Sequence, residues 1–172
     1  MTQTETDKTK DKPSDVKTID RGTDRIEKQL VIHAPRTKVW SALADSKQFG
    51  TWFGCALNGP FVAGETTTGK ITDPPGYEHI TMELVIDRIE PERLFSFRWR
   101  PYAIKPDVDY SKEPRTLVEF VLEEQAGGKD TLLTISETGF DGIPEYRRAE
   151  AFRMNSGGWS IQAERIAKHV GG

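Results

Sequence analysis

Apolar and polar residues alternate along much of the chain after residue 25, which is the pattern of half-buried β-strands. The first alternating run covers residues 25–32 and stops at Ala34 and Pro35. Pro35 suits the first turn of a helix, because the N–H group that proline lacks has no partner there. A helix to Asp45 is therefore predicted, and its apolar face consists of Val39, Trp40 and Leu43.

A second short helix is predicted over residues 46–53, because Ser46 can cap it and an aromatic pair, Trp52 and Phe53, ends it. The chain then passes repeatedly between apolar runs and turns that contain proline or glycine, which indicates an antiparallel sheet with one packed face. Residues 56–69 are expected to hold a turn, a short strand and a second turn. Further strands are predicted at residues 66–72, 77–89, 94–100, 115–124 and 131–137.

The last predicted element is a long helix over residues 144–170. Its centre contains Gly157-Gly158, and each glycine costs about 1 kcal/mol relative to alanine in a helix interior. We therefore expect either a close approach of this backbone to the sheet or a bend in the helix. Charged residues, Arg147 among them, are expected on the outer sides. One stripe is expected to face the sheet: Phe152, Ser156, Trp159, Ala163, Ile166 and Val170.

The first 24 residues differ in composition from the rest of the chain, since nearly all are polar or charged and few are aliphatic. A segment with so little apolar surface cannot offset the entropy lost when its backbone is ordered. Residues 1–24 are therefore predicted to be a disordered or weakly ordered tail, with one strand-like contact near residues 16–19. A single domain is predicted over residues 25–172.

Length and charge limit the possible functions. A chain of 172 residues suits one domain with a sizeable core. Its formal net charge of −3 provides no basic field for phosphate groups, so we expect neither nucleic acid nor an anionic membrane surface as a partner. No signal peptide or eighteen-residue apolar run is present, so a cytoplasmic protein without membrane insertion is expected. The one cysteine, Cys55, is interpreted as a buried apolar residue rather than a reactive thiol.

Several short motifs, taken together, resemble a known family. Their order is similar to that of the START-like (Bet v 1-like, SRPBCC) superfamily, and within it to the AHSA1-like branch, named after the activator of the Hsp90 ATPase. The resemblance covers residues 25–170 and implies an α+β helix-grip fold, in which a bent antiparallel sheet, two short helices and one long C-terminal helix enclose a cavity. The motifs are Ala34-Pro35 with Val39-Trp40 and Leu43, Trp52-Phe53, residues 89–94 leading to Phe97 and Trp99, and Gly158-Trp159.

The cavity that the resemblance implies is a default site for a small apolar ligand. An aromatic stripe is also what an ordinary core contains, so each ring is either a core residue or a ligand contact. A proline-rich loop over residues 101–114 either covers the mouth of the cavity or is peripheral. The candidate ligand contacts are Trp52, Phe53, Phe61, Tyr77, His79, Phe97, Trp99, Tyr102, Phe120, Met154 and Trp159.

No grouping of residues in the sequence is typical of a metal, cofactor or phosphate site. We therefore predict no metal, no cofactor and no assigned catalytic residue. His33 and His169 are expected at the end of the first strand and in the last helical turn. His79 is the one histidine expected to reach the cavity.

Three functions are consistent with the sequence. The first is a non-enzymatic domain that binds a hydrophobic, lipid-like or aromatic small molecule. The second, which rests on the resemblance, is a protein-interaction module with a chaperone partner of the Hsp90 type. The third is an enzyme similar to cyclases, dehydratases or hydrolases that uses Tyr77, His79 or Tyr102.

Overall fold

A computed structural model of the protein describes residues 15–171. Within them, eight strands form one antiparallel sheet in the order β1-β2-β8-β7-β6-β5-β4-β3. The strands are β1 (Lys17–Asp20), β2 (Arg25–Ile32), β3 (Cys55–Leu57), β4 (Thr66–Ile71), β5 (Thr81–Glu90), β6 (Leu94–Trp99), β7 (Thr116–Gln125) and β8 (Asp130–Thr138).

Three α-helices complete the fold: α1 (Arg36–Ala44), α2 (Ser46–Phe53) and α3 (Glu145–Gly171). Two short 3-10 turns, Ala126–Gly128 and Phe140–Gly142, follow β7 and β8. The long α3 packs against β2 and against both short helices. A bent antiparallel sheet combined with two short helices and one long C-terminal helix is the α+β helix-grip fold, as the sequence predicts.

The centre of the space between sheet and helices is filled with aromatic rings. Phe49, Phe95, Phe97 and Phe120 are completely buried, and the ring of Phe49 lies within 6.2–6.4 Å of the other three, centroid to centroid. Edge-to-face and offset contacts at these separations stabilise a core beyond the area that they bury. The interior at this place is therefore an aromatic core rather than an open cavity.

Alternation along β8 determines what faces α3. Leu133, Ile135 and Glu137 follow one another at every second position, and their exposed fractions are 0%, 1% and 0%. Successive side chains of a strand point to opposite faces, so two aliphatic residues and one carboxylate share the core face. Glu137 therefore lies on the core face near the C-terminal end of β8, at a position where the pattern would otherwise place a third apolar residue.

Several predicted details differ from the structure, and three of them concern single residues or element ends. The strand expected from residue 77 begins at Thr81, because residues 77–80 form a turn in which the N–H of Ile80 donates to the carbonyl of Tyr77 at 3.0 Å. Asp45, not Ser46, caps α2, and its carboxylate accepts from the N–H of Lys47 at 3.0 Å. Arg147, expected on an outer side of α3, is 8% exposed.

The N-terminal segment is described only in part. Residues 1–14 of the predicted tail lie outside the described residues. From residue 17 the chain forms β1, which pairs with β2 in a register that places Thr18 beside Lys28. Strand β1 overlaps the place where the sequence suggests a strand-like contact, and the tail and domain boundary stay predictions.

Candidate functional site

A groove of about 420 Å³ lies beside the aromatic core, between the strands β5 and β6 and the loop that follows β6. Most of its lining is apolar or aromatic, which is typical of sites for small organic ligands. Phe53 comes from the end of α2 and Trp99 from the end of β6, so the two rings meet where these elements stop. The groove is lined by Phe53, Ile71, residues 80–83, residues 99 and 100, residues 102–104, Tyr110 and Ser111.

Arg147 fixes the loop that forms the outer wall of this groove. Its Nε donates to Oε1 of Glu113 at 2.7 Å, and its Nη1 donates to the carbonyl of Pro101 at 2.7 Å. The guanidinium also lies 4.8 Å from the ring centre of Tyr110, within cation–π range. Because the side chains of Arg147 and Glu113 are only 8% and 11% exposed, α3 holds the loop through an ion pair shielded from water.

Tyr102 is the loop residue with the most unusual backbone. Its φ angle of 50° lies in the left-handed region, which residues other than glycine seldom adopt. Its half-buried ring lines the groove, and burial, with smaller effects from Glu150 and Tyr77, raises the pKa of its hydroxyl. Strained backbone of this kind is found preferentially at functional sites, which makes Tyr102 a candidate ligand contact.

A smaller recess of about 150 Å³ opens next to the groove, and Phe53 and Trp99 line both spaces. The other walls of the recess come from α3. Residues three, four and seven positions apart share one face of a helix, so α3 presents its four contributing residues as a single stripe. These four are Asn155, Gly158, Trp159 and Gln162.

The buried carboxylate of Glu137 accepts hydrogen bonds from residues that line this recess. Its Oε2 accepts from the indole Nε1 of Trp99 at 2.7 Å and from the hydroxyl of Thr116 at 2.6 Å. Its Oε1 accepts from the indole Nε1 of Trp159 at 2.8 Å and from Nδ2 of Asn155 at 3.0 Å. One buried side chain therefore orients three of the residues that line the recess.

Glu137 has an unusual electrostatic environment for a carboxylate. Within residues 15–171 no cationic side chain forms an ion pair with it, and its partners are neutral donors. Burial, which desolvates the ionised form, raises the pKa of Glu137, and the hydrogen bonds from Thr116, Trp99, Trp159 and Asn155 oppose this effect. Perturbed carboxyl groups of this kind concentrate at functional sites.

The residues that the sequence singles out fall into three groups. Four of them line the groove or the recess: Phe53, Trp99, Tyr102 and Trp159. Four lie in the core: Trp52, Phe61, Phe97 and Phe120. The indole of Trp52 donates to the carbonyl of Ala42. Three line neither space: Tyr77, the exposed Met154, and His79, whose Nε2 lies 3.0 Å from the carbonyl of Ile104. Whether any of them touches a ligand stays a prediction.

The sequence candidates leave out much of the groove lining and four polar residues that hold or line the site: Arg147, Glu137, Asn155 and Gln162. Glu137 had a usable signal, because it continues the every-second-residue pattern of Leu133 and Ile135. Asn155 and Gln162 lie four residues before and three residues after Trp159, so helical spacing alone places them beside it. Arg147 had no such signal, since its partners are on a loop far away in the sequence.

Across residues 15–171 no group of three or more His, Cys, Asp or Glu side chains is arranged to hold a metal ion. Among the helices of this same stretch, none combines the length and the apolar character that crossing a membrane requires.

The family follows from a comparison of the sequence with family models. The model described as activator of Hsp90 ATPase homolog 1-like protein matches residues 33–171. The chain belongs to this family. The AHSA1-like match spans both short helices, six strands of the sheet (β3 to β8) and α3, so it includes every residue of the groove and the recess. A comparison with curated proteins finds no match.

Solved structures of similar fold are consistent with this assignment. DynU16, from the dynemicin biosynthetic locus, is 22% identical with a TM-score of 0.66, and the match covers 87% of this chain and 48% of that one. CalU16 from Micromonospora echinospora is 21% identical, with a TM-score of 0.62 and coverage of 90% and 85%. The Aha1 dimer from Colwellia psychrerythraea is 14% identical, with a TM-score of 0.61 and coverage of 85% and 95%.

The likeness to these proteins concerns the fold. The AHSA1-like chain spans about half the length of DynU16.

Proposed function

We propose that this AHSA1-like protein binds a small apolar or aromatic molecule in the groove beside Trp99. The observation that carries the proposal is the pair of neighbouring open spaces, the groove of about 420 Å³ and the recess of about 150 Å³, which share Phe53 and Trp99 as walls. Apolar lining with a few polar groups suits a ligand whose body is hydrophobic and whose orientation is set by hydrogen bonds.

Both walls of the groove are held in place by buried polar contacts. Arg147 ties the loop to α3, and Glu137 fixes the indole of Trp99. A site with walls that are already ordered loses little conformational entropy on binding, which favours affinity. The strained backbone of Tyr102 supports the same proposal, because the loop keeps that ring at the groove against its backbone preference.

The neutral dye N-phenyl-1-naphthylamine, which becomes strongly fluorescent in apolar sites, provides a direct test. We expect saturable fluorescence with the wild-type protein. In Ala103→Trp the new indole would occupy the groove, since Ala103 lines it, and we expect at least a 10-fold loss of affinity. Ala149→Trp is the matched control, because Ala149 is exposed on α3. Absence of saturable binding to the wild type, or equal binding by Ala103→Trp, would contradict the proposal.

A chaperone partner is a separate prediction that rests on the family alone. The expected observation is capture of the cognate Hsp90 by this protein in a pulldown, together with a change in ATPase rate. Failure of both would remove this function and would leave the groove proposal standing.

A further inference from the structure

Asn155 lines the recess, and its amide nitrogen is already engaged. Asn155 Nδ2 donates to Oε1 of Glu137 at 3.0 Å. A carboxylate oxygen accepts hydrogen bonds, so the amide of Asn155 has to point its nitrogen, not its oxygen, at Glu137. The Oδ1 atom of Asn155 is therefore directed away from the carboxylate and is available as an acceptor.

Gln162 repeats this arrangement seven residues, or about two helical turns, further along the same stripe. Its Nε2 donates to the carbonyl of Phe53 at 3.1 Å, which fixes the orientation of this amide as well. No donor among residues 15–171 reaches the Oε1 of Gln162, and that atom is shielded from solvent. A shielded acceptor without a donor is unfavourable, so a ligand that donates to it gains a hydrogen bond that the free protein lacks.

The main hydrogen-bond donors at the recess already have acceptors within the protein. The indole N–H groups of Trp99 and Trp159 both donate to Glu137. An anionic ligand would therefore meet amide oxygens and, behind them, a buried carboxyl group that no cation offsets. A hydroxyl or N–H group would meet acceptors.

We propose that the recess binds the hydrogen-bond-donating end of the ligand, a hydroxyl or N–H group, on the amide oxygens of Asn155 and Gln162. The apolar body of the same ligand lies in the groove, so this inference rests on the proposed function and adds the class of ligand. The protein selects aromatic or apolar alcohols and amines over the corresponding ethers and carboxylates.

Gly158 gives the ligand access to this place. A side chain at Gly158 would begin in open space, because an added Cβ has no atom within 4 Å. The backbone of Gly158 is one wall of the recess, so the absence of a side chain leaves the entrance unobstructed.

Three probes with the same ring system test the selection: 2-naphthol donates a hydrogen bond, 2-methoxynaphthalene only accepts, and 2-naphthoate is an anion. Affinities are measured by calorimetry, and the indole N–H resonances of Trp99 and Trp159 report binding at the recess in NMR spectra. We expect 2-naphthol to bind about 2- to 12-fold more tightly than the methoxy compound, which is the net effect of one hydrogen bond. We expect 2-naphthoate to bind most weakly.

Gln162→Met tests whether the amide oxygen is responsible. Methionine keeps the length of the side chain, and the carbonyl of Phe53 keeps a second donor, Nη1 of Arg165 at 3.2 Å, so the fold should persist. We expect the preference for 2-naphthol over 2-methoxynaphthalene to fall in this variant. Gln125→Met, at an exposed position at the end of β7, makes the same chemical change outside the site and should leave the preference intact.

The two proposals fail in different ways. Equal affinity for 2-naphthol and 2-methoxynaphthalene, or an unchanged preference in Gln162→Met, overturns the donor selection and leaves binding in the groove intact. Absence of binding by all three probes, with no change in the indole resonances, overturns the proposed function together with the donor selection.

Discussion

The indole rings of Trp99 and Trp159 lie 5.7 Å apart, centroid to centroid, and both donate to one carboxyl group, that of Glu137. One ring comes from the end of β6 and the other from the middle of α3. A single buried residue of β8 therefore joins sheet and helix at the point where the groove and the recess meet. Hydrogen bonds to a buried acceptor restrict both rings to one orientation, which stabilises the walls of the binding site.

Replacement of Glu137 by glutamine should destabilise the protein. The amide oxygen can keep the bonds from Trp159 and Asn155, but the amide nitrogen then faces Thr116 and Trp99. The hydroxyl of Thr116 can accept, whereas the indole N–H of Trp99 cannot. One buried donor loses its acceptor, so we expect a loss of about 1–3 kcal/mol in the free energy of unfolding, measured with urea at neutral pH.

The matched control for this prediction is Glu123→Gln, because Glu123 is exposed on β7. That variant should change stability by less than about 0.5 kcal/mol. A Glu137→Gln protein as stable as Glu123→Gln would show that the four hydrogen bonds to Glu137 do not matter for stability.

The stability difference between wild type and Glu137→Gln should depend on pH. Burial raises the pKa of Glu137 above its ordinary value of 4.5, so the folded state binds a proton that the unfolded state releases. The resulting stability is complete below the unfolded pKa and is lost as pH rises through the folded pKa. We therefore expect the cost of Glu137→Gln to be larger near pH 4.5 than at neutral pH. Urea unfolding of both proteins across this range provides the measurement, and a cost that grows with pH would contradict it.

The sequence predicts the elements of this fold well, because periodicity depends on residues that are neighbours in the chain. Alternation from Leu94 and from Thr131 locates β6 and β8, and helical spacing around Trp159 locates α3. Local capping is harder to predict, since Asp45 and Ser46 are both good caps and the structure uses the aspartate.

The site is less predictable because its contacts are distant in sequence. Glu137 is 38 residues from Trp99, and Arg147 is 34 residues from Glu113. Aromatic residues of core and groove also look alike in the sequence: Phe97 is completely buried, whereas Trp99, two residues later on the same strand, lines the groove. Phe97 packs against Phe49 of α2 and Phe120 of β7, contacts that the pattern along β6 does not show.

Removal of the guanidinium in Arg147→Met should release the loop that forms the wall of the groove. The carboxylate of Glu113 would stay shielded without its cation, and the carbonyl of Pro101 would lose its donor. Breaking a buried ion pair in this way costs about 3–5 kcal/mol. We expect lower stability in urea and faster cleavage by trypsin after Lys112, which is exposed on the loop.

Arg153→Met is the control for the loop experiment, because Arg153 is exposed on the same helix. Trypsin should cleave the loop of this variant at the wild-type rate. If Arg147→Met resisted trypsin as well as Arg153→Met does, the ion pair with Glu113 would not be what holds the loop.

Cys55 should be unreactive in the folded protein. Its side chain is buried, with 6% of the residue exposed, and burial raises the pKa of the thiol to about 12, so very little thiolate is present at pH 8. Because it is the one cysteine of the sequence, the reaction with Ellman's reagent reports this thiol alone. We expect the rate to increase with urea in parallel with unfolding, and rapid labelling without urea would contradict the buried position.

Substitutions at Gly157 and Gly158 should have different effects on helix stability and on ligand binding in the recess. A Cβ at either glycine meets no atom within 4 Å, so no close approach of the backbone compensates for their low helix propensity. Gly157→Ala and Gly158→Ala should each stabilise the protein by about 0.5–1 kcal/mol in urea unfolding. Gly158→Met should also reach over the recess and weaken binding of 2-naphthol, whereas Gly157→Met, at an exposed position, should not. Wild-type affinity in Gly158→Met would show that the ligand does not enter beside Gly158.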